Sequence, residues 1–149
     1  MQAKDGMKMH GAISATLIKA DGTVETRHKD NIIVNVGFDF IANAIGAPSG
    51  RPGVMSHIAV GTGTTASAVA QSALVAELSR AAATYAHTTN TKVFTFTATF
   101  AAGVATGPIT EAGVLNAATG GILLDRVVFG VINKAAADTL QVTFTFTMS

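Results

Sequence analysis

The chain has 149 residues, 48% of them apolar and only 13% charged. That length fits one domain with a genuine core, and a charged fraction about half the usual quarter excludes a disordered chain. Ten Lys+Arg against nine Asp+Glu leave a net charge of +1, so the basic footprint of a nucleic-acid binder is missing and no nucleic acid is expected as a partner. The absence of cysteine excludes a disulfide framework, a thiol nucleophile and a thiolate metal site.

Met1 to His10 reads as a flexible N-terminal arm, polar and aperiodic, with no apolar run that would make it a cleaved signal. Unbranched Met side chains beside Lys adapt to irregular grooves, which makes Lys4, Met7, Lys8 and Met9 candidate interface residues. Residues 11–149 read as one β domain, opening over 11–34 with a hairpin and a further strand. Ala12 to Ile18 is extended, Asp21-Gly22 is the turn with both residues expected at positive φ, and Val24 to Arg27 returns. After a polar stretch, Ile32 to Val34 is extended again. Val36, Phe38, Phe40, Ile41, Ala44 and Ile45 then predict a short amphipathic helix over 36–46, closed by Gly46. Pro48 to Gly53 is a loop.

His57 to Val60 is a short strand running into Gly61-Thr62-Gly63-Thr64-Thr65. Ser72 is placed to cap a second short helix, Ala73 to Ser79, with Leu74, Val75 and Leu78 facing inward. The C-terminal half is plainer. Residues 93–100 and 141–148 alternate Phe with Thr, one face apolar and the other hydroxylic. Ile109 to Leu115 and Ile122 to Ile132 lie between them, joined by Ala117-Ala118-Thr119-Gly120-Gly121. The fold class expected is mainly β, an antiparallel β-sandwich or jelly-roll-like barrel with one or two short helices. The charge-free stretches 52–76 and 93–110 carry Gly, Thr and turn residues and do not read as membrane spans.

No cluster supports catalysis, and neither cofactor nor metal is expected. Gly61-Thr62-Gly63-Thr64-Thr65-Ala66 matches a dinucleotide fingerprint in form, but no βαβ context follows, so its glycines are expected to serve a tight exposed loop. His10, His28, His57 and His87 share no ligand spacing. Ser56-His57 lacks any nucleophile-elbow signature. Glu77 and Arg80 are spaced to pair along one helical face. Glu111, in an otherwise apolar strand, needs a cationic partner, and Arg80 or Arg126 would serve as the other half of a structural ion pair.

Several stretches carry a likeness: Ser56 to Ala66, Leu74-Val75-Ala76-Glu77-Leu78-Ser79-Arg80, Ile109-Thr110-Glu111-Ala112-Gly113-Val114-Leu115-Asn116, Leu124-Asp125-Arg126-Val127-Val128-Phe129 and Asp138 to Phe144. In this order they resemble small structural proteins of tailed bacteriophages, of the head-decoration or cement type, with related patterns in tail-fibre and baseplate-associated proteins. The resemblance spans roughly residues 32–149 and rests on scaffold motifs, so it carries over no catalytic residue. It implies a non-enzymatic protein made in the host bacterial cytoplasm and located on the virion surface. Its implied partner is the major capsid protein, whose lattice it would brace, and a homo-oligomer, favoured as a trimer, follows from the edges of the long strands. The alternative is a receptor-binding module of a tail fibre or baseplate. Sugar-binding sites favour exposed aromatics, and the chain has no Trp and one Tyr, Tyr85.

Overall fold

The structure, a computed structural model, describes residues 6–149. It is mainly β, nine antiparallel strands and one short helix in a nearly closed barrel or sandwich. The strands are β1 (Met9–Ile18), β2 (Val24–Ile33), β3 (His57–Gly61), β4 (Glu77–Ala82), β5 (Thr84–His87), β6 (Val93–Phe100), β7 (Gly107–Leu115), β8 (Asp125–Lys134) and β9 (Thr139–Met148), with α1 (Asn35–Gly46) after β2. Their order across the sheet is β4-β3-β7-β8-β2-β1-β9-β6-β5. Among the described residues no helix is long and apolar enough to cross a membrane.

The β1–β2 hairpin is continuous over ten-residue strands, so the polar stretch 28–31 is strand as well. Its turn holds only Gly22 at positive φ (87°). The Gly22 N–H donates to the Lys19 carbonyl and the Lys19 N–H to the Thr23 carbonyl, a type I turn with a glycine bulge, which leaves Asp21 free of the left-handed region. The freed Asp21 carboxylate instead accepts from the backbone and hydroxyl of Thr23.

The two Phe/Thr strands are direct neighbours. β6 and β9 pair Phe94 with Phe146 and Phe96 with Phe144, while Thr95 meets Thr145 and Thr97 meets Thr143. Phe94 and Phe146 stack with ring centres 5.2 Å apart. The inner face joins Ile13 and Leu17 of β1 with Val142 and Phe144 of β9, and packs them on Ile58, Val60, Val114 and Val127 of the opposing strands. β3 and β7 have no solvent face. A second apolar cluster, Val34, Ala59, Leu74, Leu115 and Leu123, covers their outer side, which explains why β7 is buried at seven successive residues.

The second predicted helix does not form. Residues 77–82 are strand β4, paired with β3, and Leu78 and Val75 are exposed while only Leu74 is buried. β3 presents an unpaired edge that captures this segment, and the amides of Val75 and Ala76 are claimed by a carboxylate described below. β4 and β5 are in effect one strand bent at Ala83. Its first part pairs with β3 and its second with β6, so the two ends of the sheet are joined by a corner of chain.

Candidate functional site

Glu111 is fully buried on the outer side of β7. Its Oε1 accepts from the amides of Gly63 (3.0 Å) and Ala76 (2.7 Å), and its Oε2 from the amide of Val75 (3.0 Å) and Nε of Arg126 (2.8 Å). Arg126, also fully buried, places Nη2 2.8 Å from the same oxygen without a well-aligned hydrogen bond. Its Nη1 donates to the Thr65 carbonyl and to Oε1 of Gln71. One ion pair thereby pins the whole excursion from Gly63 to Ala76 onto β7 and β8. Burial pushes the Glu111 carboxyl up, but the Ala76 and Val75 amides and the Arg126 guanidinium outweigh it and hold it below the ordinary value of 4.5.

The Gly61-Thr62-Gly63 glycines serve this carboxylate. A Cβ on Gly61 would lie 2.4 Å from the Ala76 carbonyl oxygen, and one on Gly63 would lie 2.6 Å from Oε1 of Glu111. Both glycines are buried, so the exposed-loop expectation holds only for Thr64 to Ala66. The backbone must approach a carboxylate here, and the glycines make room for it.

Arg80 does not reach Glu111. It pairs with Glu77 (2.7 Å) and donates from Nη1 to the carbonyls of Ala117 and Gly120, both at 2.8 Å. The partners sit on a strand, not a helix. Val60 faces Ser79 while Gly61 faces Glu77, so Leu78 is an extra residue, and this bulge turns positions 77 and 80 to the same side.

Of the candidate interface residues, Lys4 lies outside the described residues. Met7 is 72% exposed. Lys8 and Met9 are no free arm: Lys8 exchanges backbone hydrogen bonds with Ser149, and Met9 opens β1 opposite Met148 and packs against the core. His10 is likewise in β1. The edge of β9 recruits this segment, whose own sequence carries no strand signal.

Met9 also lines an apolar cleft of 380 Å³. Phe40 and Ala44 of α1 form one wall, Val54 and Met55 the second, and Tyr85 of β5 stands at the mouth. Tyr85 lies just past the bend at Ala83, where the chain leaves β3 for β6. All four β5 residues are exposed, and β6 alone pairs with the strand. Of its lining residues Val54 and Tyr85 are exposed to 78% and 58%, and α1 also carries the exposed Phe38 and Ile45.

No group of three or more His, Asp or Glu is placed to hold a metal among the described residues. Ser56 Oγ and His57 Nδ1 are 2.8 Å apart. Three further polar residues hold the structure together without a sequence signal, Asp125 and Lys134 buried and Gln71 partly so. Asp125 bridges strands and is considered below. Gln71 links Arg126 to the Ala66 carbonyl and the Ala68 amide. Lys134 donates to the Ala101 carbonyl, and burial lowers its amine from the ordinary 10.5, with Asp138 opposing. No spacing ties these residues to their partners, which lie 11 to 94 positions away except for the three- and five-residue reach of Gln71. Compared with protein families, curated proteins and solved structures, the chain finds no match.

Proposed function

We propose that the protein is a non-enzymatic virion component of the head-decoration type, which binds the outer face of the major capsid protein lattice and stabilises the head. The phage-like motifs and the charge-poor composition support this reading, and the observation that carries it is the apolar cleft between α1 and β5 with its rim of exposed apolar side chains. Cement proteins act through contact area, and a surface of this kind is costly to leave in water unless a neighbour covers it. The cleft, including Met9, is the face turned to the coat, and self-association, as a trimer, covers further apolar surface at the exposed edges.

Mixing the purified protein with undecorated heads and pelleting them tests the proposal. The intact protein should co-sediment at hundreds of copies per head, whereas a fibre component would reach a handful. Ala44→Glu, at an exposed cleft position, should abolish retention and leave the melting temperature within a few degrees. Failure of the intact protein to pellet with heads overturns the reading.

A further inference from the structure

The nine-stranded sheet consists of two half-sheets. β4-β3-β7-β8 and β2-β1-β9-β6-β5 each have long ladders, but the β2–β8 junction between them has only two register pairs, Ile32 with Arg126 and Ile33 with Asp125. A third bond, from the Val34 amide to the Leu124 carbonyl, extends it. Asp125 occupies this junction with no exposed surface. Its Oδ1 accepts from the Val114 amide of β7 at 3.0 Å, and its Oδ2 meets the side-chain amide of Asn31 on β2. One carboxyl group thus ties β8 to β7 and to β2.

Among the described residues no cation is paired with it. The charged or titratable side chains nearest along each packed element are Arg126 on β8, Glu111 on β7, Asp30 on β2, His10 on β1 and Asp39 on α1. Arg126 is committed to Glu111, and His10 to Asp30 at the surface. No ion pair within 4.0 Å involves Asp125 among the described residues. An unpaired buried carboxylate is too costly to persist. The hydrogen bonds point the same way. Among the described residues Asn31 Oδ1 is buried without a partner, while Nδ2 faces Oδ2 of Asp125. With the amide turned over, a proton on Oδ2 donates to that orphaned oxygen, which a carboxylate cannot do.

We propose that Asp125 is a neutral carboxylic acid that latches the two half-sheets together by donating to Asn31, and that its ionisation releases the junction. The direction of the pH effect follows. Burial raises the Asp125 carboxyl well above its ordinary 3.8, against the Val114 amide. The closed junction therefore holds a proton that the opened one gives up. Opening is unaffected below pH ~4 and grows by up to tenfold per pH unit above it, until Asp125 ionises in place. This device does not depend on the proposed virion role.

Two measurements test it on the intact protein. A carbon-13 titration of the Asp125 carboxyl should show no transition near pH 4. Amide exchange at Val34 and Val114, corrected for intrinsic base catalysis, should accelerate at least tenfold between pH 5 and 8. In Asp125→Asn, which keeps a donor and an acceptor without a titratable proton, that acceleration should vanish and the protein should melt higher at pH 8. A carboxyl titrating near 4, or exchange that responds to pH alike in both proteins, would overturn the proposal. The titration needs no variant, so it decides the matter even if Asp125→Asn does not fold.

Discussion

Glu111 and Arg126 meet diagonally across adjacent strands, Glu111 being registered with Val128, with a 2.8 Å contact and no exposed surface on either side chain. Between them they hold the ends and the middle of a loop that, apart from Val69, Gln71, Leu74 and Val75, is Gly, Thr, Ser and Ala. Of its large apolar side chains only Leu74 is buried, so packing orders the segment weakly and hydrogen bonds to one buried pair do most of it.

Removing half of that pair is the direct test. Glu111→Ala should destabilise the fold by about 3–5 kcal/mol, because Arg126 is left buried and uncompensated. Glu111→Gln should cost less. It keeps an oxygen for Gly63 and Ala76 but turns an NH2 towards donors at Val75 and Arg126. Urea unfolding at pH 7 measures both, and an unchanged midpoint for Glu111→Ala would refute the role.

The same carboxylate sets the acid limb of stability. Its folded value lies below the ordinary 4.5, so its contribution is complete above that pH and disappears as the pH falls through the folded value. Melting temperature should therefore drop on acidification below pH ~4.5, and less steeply in Glu111→Gln. Asp125 acts with the opposite sign, losing stability as the pH rises from ~4.

Two glycines should behave differently from a third. Gly63→Ala pushes a methyl against Glu111 and against the Val75 Cβ 2.8 Å away, and should cost about 1–3 kcal/mol through overpacking. Gly61→Ala meets backbone and should cost at least as much. Gly53, with nothing within 4 Å, should accept Ala within about 0.5 kcal/mol. Thermal melts of the three variants give the comparison.

Arg80 and Glu77 should contribute unequally although they pair. The Arg80 side chain is 10% exposed and holds two carbonyls of the 116–121 turn, whereas Glu77 is 33% exposed and bonds only Arg80. Arg80→Ala should cost about 1–3 kcal/mol and loosen the turn, and Glu77→Ala less than about 1 kcal/mol. Proteolysis near Gly120 in the two variants reports the difference, and equal losses would show that the ion pair, not the turn, is what matters.

Period-2 alternation made the class of fold and the Phe/Thr strands legible, because it depends only on residues two apart on one pleated face. The helix over 36–46 followed from its apolar spacing, and structurally α1 begins one residue earlier. Glu111 announced itself because an ionised group amid apolar strand residues must find a partner. The sequence left open which arginine it finds. Local spacing favoured a second helix over 73–79, and the free edge of β3 overrode it.

What the sequence determined by itself was therefore local: strand alternation, turn positions, the helix and the need for a buried counter-charge. The tertiary structure alone decided that Arg126 rather than Arg80 meets Glu111, and that 77–87 is one bent strand closing the sheet. It also decided that Met9 belongs to β1 and that Asp125 joins two half-sheets. Each of these is a contact between segments far apart in the chain. Its free energy depends on which edges and carbonyls remain unpaired once the other strands have docked, and neighbouring residues carry no record of that.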